Sequence, residues 1–271
     1  MLNKFSRYVC QNCGYETSQY FGRCMNCKEW NSIIEEEKSV VSKKNIIKKS
    51  KKSKLFTEIE IKEISRIKTG FNEFDRVLGG GLVHGSIILL GGEPGIGKST
   101  LVLQAAAQMS LSHNVIYITA EESLEQVKVR WKRLNQRNSN LKVFAENNLS
   151  IIIQEIKENK PTIAIIDSIQ AINNSDLESA SGSVSQVRSC SSELQKFAKD
   201  YNISLLIIGH VTKDGTLAGP KTLEHLVDVV LNFEGDHIAS HRLLRGIKNR
   251  FGATFELGIF EMLENGLNEI K

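Results

Sequence analysis

The chain has 271 residues, of which 41% are hydrophobic and 24% charged, with a formal net charge of +4. This composition is typical of a globular protein with room for one large domain and a small module. No apolar run approaches the roughly 20 residues of a membrane span, and residues 1–9 lack the apolar stretch of a secretory signal. We therefore expect a cytoplasmic protein that makes no membrane contact.

The N-terminal region contains four of the five cysteines in the pattern C-x2-C-x10-C-x2-C. They are Cys10, Cys13, Cys24 and Cys27. In a reducing cytosol, this spacing is typical of a four-thiolate zinc site and not of disulfides. Because about 34 residues are too few to bury a core, the metal has to supply the folding energy. Residues 1–34 are thus predicted to be a zinc finger, whereas Cys190 stands alone in a helical pattern and is interpreted as a buried small residue.

The next segment, residues 35–57, changes composition abruptly. Three glutamates at 35–37 are followed by eight lysines between positions 38 and 54, with no acidic residue among them. Such a charge block predicts a solvated linker. It is either a plain tether or a basic arm that also contacts nucleic acid.

Residues 58–271 alternate between apolar strands and helical patterns. The predicted strands are 86–90, 115–119, 141–144, 162–166, 203–208, 227–233 and 241–247. The predicted helices are 99–110, 124–134, 150–158 and 184–201. Strand–helix alternation indicates an α/β domain with a mostly parallel sheet covered on both faces. The late strands have no helices between them, which favours an antiparallel extension.

A phosphate-binding loop joins the first of these strands to the first helix. The octet at 92–99 fits G-x-x-x-x-G-K-[ST], whose glycines let backbone N–H groups face the phosphates of a nucleotide. The helix that follows adds its positive end, Lys98 reaches the β- and γ-phosphates, and Ser99 can hold Mg²⁺. The predicted ATP-binding positions are Gly92, Glu93, Pro94, Gly95, Ile96, Gly97, Lys98, Ser99 and Thr100.

Polar residues follow three other predicted strands. Asp167 ends the strand at 162–166 and is predicted to act with Ser99 on Mg²⁺. Glu121 and Glu122 follow the strand at 115–119, where carboxylates point into the ligand crevice. One of them could polarise the attacking water while the other complements a helix dipole, and the sequence leaves open which does so. His210 either senses the γ-phosphate or is structural.

Two segments rich in small polar residues also follow strands whose ends face the nucleotide side. They are residues 173–183 and 213–222, and their composition predicts mobile loops. They are candidates for a polynucleotide-facing surface, or they are plain solvent loops.

The combination of these motifs resembles the RadA family of bacterial DNA-repair ATPases, within the RecA-like superfamily. Beyond the cysteines and the phosphate loop, the resemblance includes the segment from Thr69 to Leu82 and the pentapeptide Lys248-Asn249-Arg250-Phe251-Gly252. The pentapeptide is the family's most diagnostic motif. The match covers essentially the whole chain.

The resemblance implies a RecA-like core in a hexameric ring that binds single-stranded and branched DNA, hydrolyses ATP with Mg²⁺ and promotes branch migration, with RecA recombinase as a possible partner. It also implies that Lys248 and Arg250 act across a subunit boundary, Lys248 on a neighbour's γ-phosphate and Arg250 there, at the interface or on DNA. Family members carry a further domain, similar to Lon protease, after the ATPase. This sequence stops at Lys271, about where that domain would begin, so it is expected to be a fragment or a natural truncation.

Two other functions fit parts of the sequence. A KaiC-like signalling ATPase with protein partners would share the phosphate loop and the paired glutamates. The four-cysteine module and the pentapeptide argue against it. A DNA-binding module that uses ATP only as a conformational switch would share the whole motif set, and ATP turnover distinguishes it from a motor.

Overall fold

The computed structural model of the protein describes residues 6–37, 55, 57, 65–135, 140–210, 222–235 and 240–270. Most of the lysine-rich linker and most of the segment at 213–222 lie outside these residues. None of the described helices is long and apolar enough to cross a membrane.

The N-terminal module is a small three-stranded antiparallel sheet. Its strands are β1 (Ser6–Cys10), β2 (Glu16–Thr17) and β3 (Ile33–Glu37), in the order β2-β1-β3. The two C-x2-C segments form turns beside this sheet. Cys10 and Cys24 are buried with Ile33, and Cys13 and Cys27 pack against them at the margin. The hydrophobic cluster is very small, as expected for a module that depends on a metal.

The second unit is built on a sheet with nine described strands in the order β14-β13-β12-β11-β6-β10-β9-β7-β8. The parallel part consists of β6 (Ile87–Gly92), β7 (Val115–Thr119), β8 (Lys142–Ala145), β9 (Ile163–Asp167), β10 (Ser204–Ile208) and β11 (Val229–Gly235). The antiparallel part consists of β12 (His241–Asn249), β13 (Leu257–Leu263) and β14 (Gly266–Glu269). The predicted antiparallel extension is therefore confirmed. It begins at β12, because β11 still pairs in parallel with β6.

Six described helices accompany this sheet. They are α1 (Asn72–Val77), α2 (Lys98–Met109), α3 (Leu124–Arg133), α4 (Leu149–Asn159), α5 (Val184–Tyr201) and α6 (Thr222–Leu226). A two-stranded ribbon of β4 (Arg66–Ile67) and β5 (Leu82–Val83) flanks α1. Sequence patterns missed α1, α6, β13 and β14, which are short or carry weak periodicity.

The central strands are buried on both faces. Along β6, Ile88 and Leu90 belong to one hydrophobic cluster with α2, whereas Ile87 and Leu89 belong to a second cluster with α4 and α5. This alternation follows from the two-residue period of a strand. Because β6, β10, β9 and β7 are parallel, their carboxyl ends lie at the same edge of the sheet, and the loops that follow them meet there.

Candidate functional site

The phosphate loop curls between β6 and α2 as its sequence predicts. Gly97 is the residue before α2 and has a left-handed φ of 113°, which strongly favours glycine. Gly92 ends β6 with a φ of 155°, and a Cβ there would lie only 2.4 Å from the carbonyl oxygen of Phe233. Glycine at Gly92 therefore lets the loop lie directly against β11.

Lys98, the cationic residue of this loop, is almost completely buried, with 3% of its surface exposed. Its Nζ donates hydrogen bonds of 2.8 Å to the carbonyl oxygens of Gly92 and Glu93. Burial lowers the pKa of Lys98 to about 8, and the nearby carboxylates of Asp167, Glu121 and Glu93 offset part of that effect. The ammonium is therefore held at the centre of the loop, where its protonation is sensitive to mildly alkaline pH.

A cleft of about 380 Å³ opens beside this loop. From the loop and α2, it is lined by Pro94, Gly95, Gly97, Lys98, Ser99 and Thr100; from the other strand ends and α3, it is lined by Thr119, Glu121, Glu122, Arg130, Arg133, Asp167 and His210. Most residues predicted to bind nucleotide thus share one cavity. Gly92, Glu93 and Ile96 line a neighbouring hollow against β11, and the buried Ile96 side chain belongs to the core.

The two adjacent glutamates have different environments. The Glu121 carboxylate accepts a hydrogen bond from the Ser168 hydroxyl and lies 3.3 Å from Nε2 of His210. The contact with His210 is the main cause that lowers the Glu121 pKa, so this carboxylate is ionised at neutral pH. Glu121 therefore presents a charged oxygen group to the cleft.

Glu122 is instead tied to α3. Its carboxylate forms an ion pair with Arg130, and its backbone N–H and carbonyl both bond to the Thr119 hydroxyl at 3.0 Å. The next residue, Ser123, begins α3 in a capping box with Gln126. Glu122 thus anchors the turn between β7 and α3, a distinction that sequence adjacency alone does not show.

Asp167 lines the same cleft as Ser99 and is held by a residue that sequence reasoning missed. The hydroxyl of Tyr117, on the neighbouring strand β7, donates to Oδ2 of Asp167. Tyr117 is fully buried, and desolvation, with the charge of Asp167, raises its pKa well above the usual range. A tyrosine within an apolar strand is typical of a core position, so only the pairing of β7 with β9 reveals this contact.

The donor set at this end of the cleft suits Mg²⁺. Ser99 supplies a hydroxyl and Asp167 a carboxylate, both oxygen ligands of the kind magnesium prefers. The hydrogen bond that Asp167 accepts from Tyr117 is made at Oδ2. Bound there with ATP, Mg²⁺ would neutralise part of the triphosphate charge.

The four N-terminal cysteines converge as predicted. Their Sγ atoms all lie within 4.8 Å of one another, with Cys10 and Cys27 at 3.6 Å and Cys13 and Cys24 at 3.5 Å. A tetrahedral zinc–thiolate centre with Zn–S bonds of about 2.3 Å requires sulfurs roughly 3.8 Å apart, so the geometry fits zinc. The module is a four-thiolate zinc site.

Both cysteine turns close in the same way. The N–H of Gly14 donates to the Cys10 carbonyl, and the N–H of Lys28 donates to the Cys24 carbonyl. Gly14 and Lys28 both have left-handed φ angles, of 70° and 62°. Glycine adopts this conformation readily at Gly14, and Lys28 adopts it in the second turn at a higher steric cost.

Lys248 and Arg250 lie away from the cleft of their own chain. Strand β12 runs antiparallel to β11, so Lys248 pairs with Val230 near the start of β11, while the phosphate loop lies at its end. The Lys248 Nζ donates to the carbonyls of Glu224 and Val227, at 2.5 and 2.7 Å. Burial, with the nearby Arg250 charge, lowers its pKa. Lys248 thus stabilises the C-terminal end of α6 by hydrogen bonds to carbonyls there, a role that sequence reasoning missed.

The rest of the pentapeptide also bonds to other parts of its own chain, although the Arg250 side chain is 54% exposed. Arg250 pairs with the buried Asp228 at 3.1 Å. The Asn249 side-chain amide donates to two carbonyls at the end of α1, and the Phe251 carbonyl accepts from Arg66 at 2.8 Å. The motif therefore joins β12 to α1, β4 and β11, and its action across a subunit boundary stays a prediction.

The segment 173–183, which its composition predicts to be a mobile loop, is hydrogen-bonded to α5 at Asn174 and Ser179. Gln186, fully buried on α5, donates to the carbonyls of Asn174 and Ser179 and accepts from the Asn174 N–H. The Asn174 side chain also bonds to Ser189 and Glu193. These contacts hold the segment against α5 at two points, and both its mobility and its contact with DNA stay predictions.

Family comparison agrees with the two units. Residues 55–216 match the AAA domain family, and residues 8–35 match the rubredoxin metal binding domain. Among solved structures, a KaiC-like protein of the archaeon Pyrococcus horikoshii superposes with a TM-score of 0.62 at 17% identity, over 77% of this chain and all of that one. The RadB recombinase gives a TM-score of 0.58 at 22% identity, over 76% of this chain and all of that one. These likenesses confirm the RecA-like fold.

Curated relatives match at much higher identity. The DNA repair protein RadA of Bacillus subtilis is 49% identical over all of this chain, and that of Listeria monocytogenes is 48% identical over 98% of it. The chain spans about 60% of the length of these relatives. The chain therefore belongs to the AAA domain family, and the RadA resemblance predicted from its motifs is confirmed along the whole of its sequence.

Proposed function

We propose that this chain hydrolyses ATP with Mg²⁺ and couples hydrolysis to the processing of single-stranded and branched DNA in recombinational repair. The observation that carries the proposal is whole-chain identity of nearly half to RadA DNA repair proteins, joined to a cleft that gathers the phosphate loop, Asp167 and Glu121.

The cleft supports hydrolysis by a simple division of tasks. Lys98 and the loop N–H groups bind and orient the phosphates, which supplies positioning and charge stabilisation. Ser99 and Asp167 would hold Mg²⁺. Glu121, which is ionised and contacts Ser168 and His210, is proposed to polarise the attacking water. His210 joins this base to the end of β10, which suits a sensor of the γ-phosphate.

Assembly and DNA contacts belong to the same proposal. We infer a ring, hexameric in the related family, in which Lys248 and Arg250 of one subunit complete the site of the next. The lysine-rich linker and the segment at 213–222 are proposed to contact DNA phosphates, and both lie mainly outside the described residues. RecA recombinase and branched DNA are the proposed partners, with branch migration as the outcome.

A signalling ATPase is the main competing function. The KaiC-like protein of Pyrococcus horikoshii shares the RecA-like core, but at its low identity that likeness concerns the fold alone. The zinc module and the higher identity to DNA repair proteins favour the DNA function.

Steady-state ATP hydrolysis, measured with and without single-stranded DNA, tests the proposal. We expect DNA to stimulate turnover by the wild-type chain, and we expect Lys98→Ala to abolish it under both conditions. Turnover that DNA leaves unchanged in a chain that binds DNA would argue for an ATP-controlled switch. A chain that hydrolyses ATP and binds no DNA would contradict the DNA function.

A further inference from the structure

The magnesium end of the cleft depends on a contact between two strands of the central sheet. Tyr117 lies in the middle of β7 and Asp167 at the end of β9, and these strands pair in parallel with Thr119 opposite Asp167. The Tyr117 ring is completely buried, and its hydroxyl donates to Oδ2 of Asp167. A side chain of the hydrophobic core therefore contacts a residue of the cleft through its hydroxyl group.

This hydrogen bond restricts what Asp167 can do. The hydrogen bond from Tyr117 to Oδ2 restrains rotation of the carboxylate and so sets the direction in which its oxygens face the cleft. Asp167 itself is largely buried and lines the same cleft as Ser99 and Lys98. In metal sites, partners of the ligating carboxylate fix its orientation, and their removal typically costs about 10–100-fold in metal affinity or activity.

We propose that Tyr117 is a positioning residue of the nucleotide site, which sets the orientation in which Asp167 meets the divalent cation of the metal–nucleotide complex. The inference rests on the proposed ATPase function and deepens it. We expect Tyr117 to act through Asp167, because its buried hydroxyl donates to that carboxylate and Tyr117 does not line the cleft.

The test compares Tyr117→Phe with the wild-type chain in binding and in turnover. The variant keeps the ring that fills the core and removes only the hydroxyl. We expect a roughly tenfold or larger rise in the Mn²⁺ concentration that half-saturates the ADP-bound protein, measured by electron paramagnetic resonance of free Mn²⁺. The Mg²⁺ concentration for half-maximal hydrolysis should rise in parallel. ADP affinity in EDTA should not change, because Tyr117 is not among the residues that line the nucleotide cleft.

Two further variants make the result specific. Adding Tyr117→Phe to Asp167→Asn should cause no additional loss of Mn²⁺ affinity if the hydroxyl acts through that carboxylate. Replacement of Tyr117 by 4-aminophenylalanine, which keeps the ring and a para N–H donor, should restore most of the affinity. It also serves as the test protein if Tyr117→Phe does not fold.

A matched control is Ser204→Ala on β10. Ser204 is also a fully buried hydroxyl of the sheet, but it bonds to the backbone of Val83 and Gly85 at the edge away from the cleft. Ser204→Ala should lower thermal stability without altering the Mn²⁺ or Mg²⁺ concentration needed for half-saturation. Tyr117→Phe overturns the inference if it behaves like this control. Absence of nucleotide binding by the wild-type chain would instead overturn the proposed function.

Discussion

Single residues set the chemistry of the cleft, and Lys98 makes it sensitive to pH. Burial places the Lys98 pKa at about 8, well below that of a free lysine. The phosphates bind the protonated form, so above pH 8 binding must take up a proton. We expect the Kd for Mg–ATP to rise toward tenfold per pH unit between about pH 8.5 and 10.

Fluorescent nucleotide titrations across this pH range measure the effect. Lys98→Arg is the matched control, because its guanidinium stays charged and its Kd should not follow this slope. A wild-type Kd that is flat to pH 10 would show that Lys98 remains protonated in the free protein.

Mutations of the two adjacent glutamates are predicted to have different effects, one on catalysis and the other on stability. Glu121→Gln removes the group proposed to act on water and should lower kcat by about 10²–10⁴-fold. Glu122→Gln breaks the ion pair with Arg130 and should mainly lower stability, leaving kcat within roughly tenfold. Single-turnover hydrolysis and thermal unfolding of both variants measure these effects. A larger loss of kcat in Glu122→Gln than in Glu121→Gln would make Glu122 the base.

At the level of elements, the antiparallel strands close the domain onto the phosphate-loop helix. The Gln104 side chain, buried on α2, bonds to both the N–H and the carbonyl of Leu267 on β14, at 2.9 and 3.2 Å. Met262 on β13 also packs against Gly97. Strands β13 and β14 thus pack against the phosphate loop and its helix, although they follow that loop by about 170 residues in the sequence.

The zinc module is predicted to fold independently of the ATPase unit. Its described ion pair with that unit joins Glu16 to Arg188 at 3.3 Å, with side chains 42% and 45% exposed. Exposed pairs of this kind contribute little to stability. Chelation should therefore unfold residues 1–34 and leave the α/β domain folded, because the metal supplies the module's folding energy.

Metal analysis and limited proteolysis check this expectation. One zinc ion per chain should be present after gentle purification and be lost with a chelator. The released N-terminal segment should then become protease-sensitive while ATP binding persists. A protein purified without zinc, or a core that melts with the module, would contradict the prediction.

At the scale of the whole molecule, the family resemblance implies that Lys248 belongs to a site shared between subunits. It lies at the sheet edge opposite the cleft of its own chain and is held by carbonyls at the end of α6. We expect it to act on a neighbour's nucleotide. Such a cation, supplied from another subunit, raises the rate by about 10³–10⁵-fold in known cases.

A mixing experiment tests this arrangement. Lys248→Ala and Lys98→Ala chains should each be inactive alone and regain activity when combined, because some boundaries then pair an intact loop with an intact Lys248. Subunit exchange must be shown separately, for example by energy transfer between labels. Co-assembly without recovery would place Lys248 in a structural role within its own chain or in contact with DNA.

The sequence by itself determined the features that are encoded in contiguous spacing. The cysteine pairs, the phosphate loop and the strand ending in Asp167 depend on local backbone geometry, so their residue order was sufficient. The tertiary structure alone decided how Glu121 and Glu122 differ, how Tyr117 reaches Asp167, and how Gln186 bonds to residues 173–183. These contacts join residues of different elements, or they distinguish two adjacent residues by their surroundings. Strand order and burial decide both, and neither is encoded in local spacing.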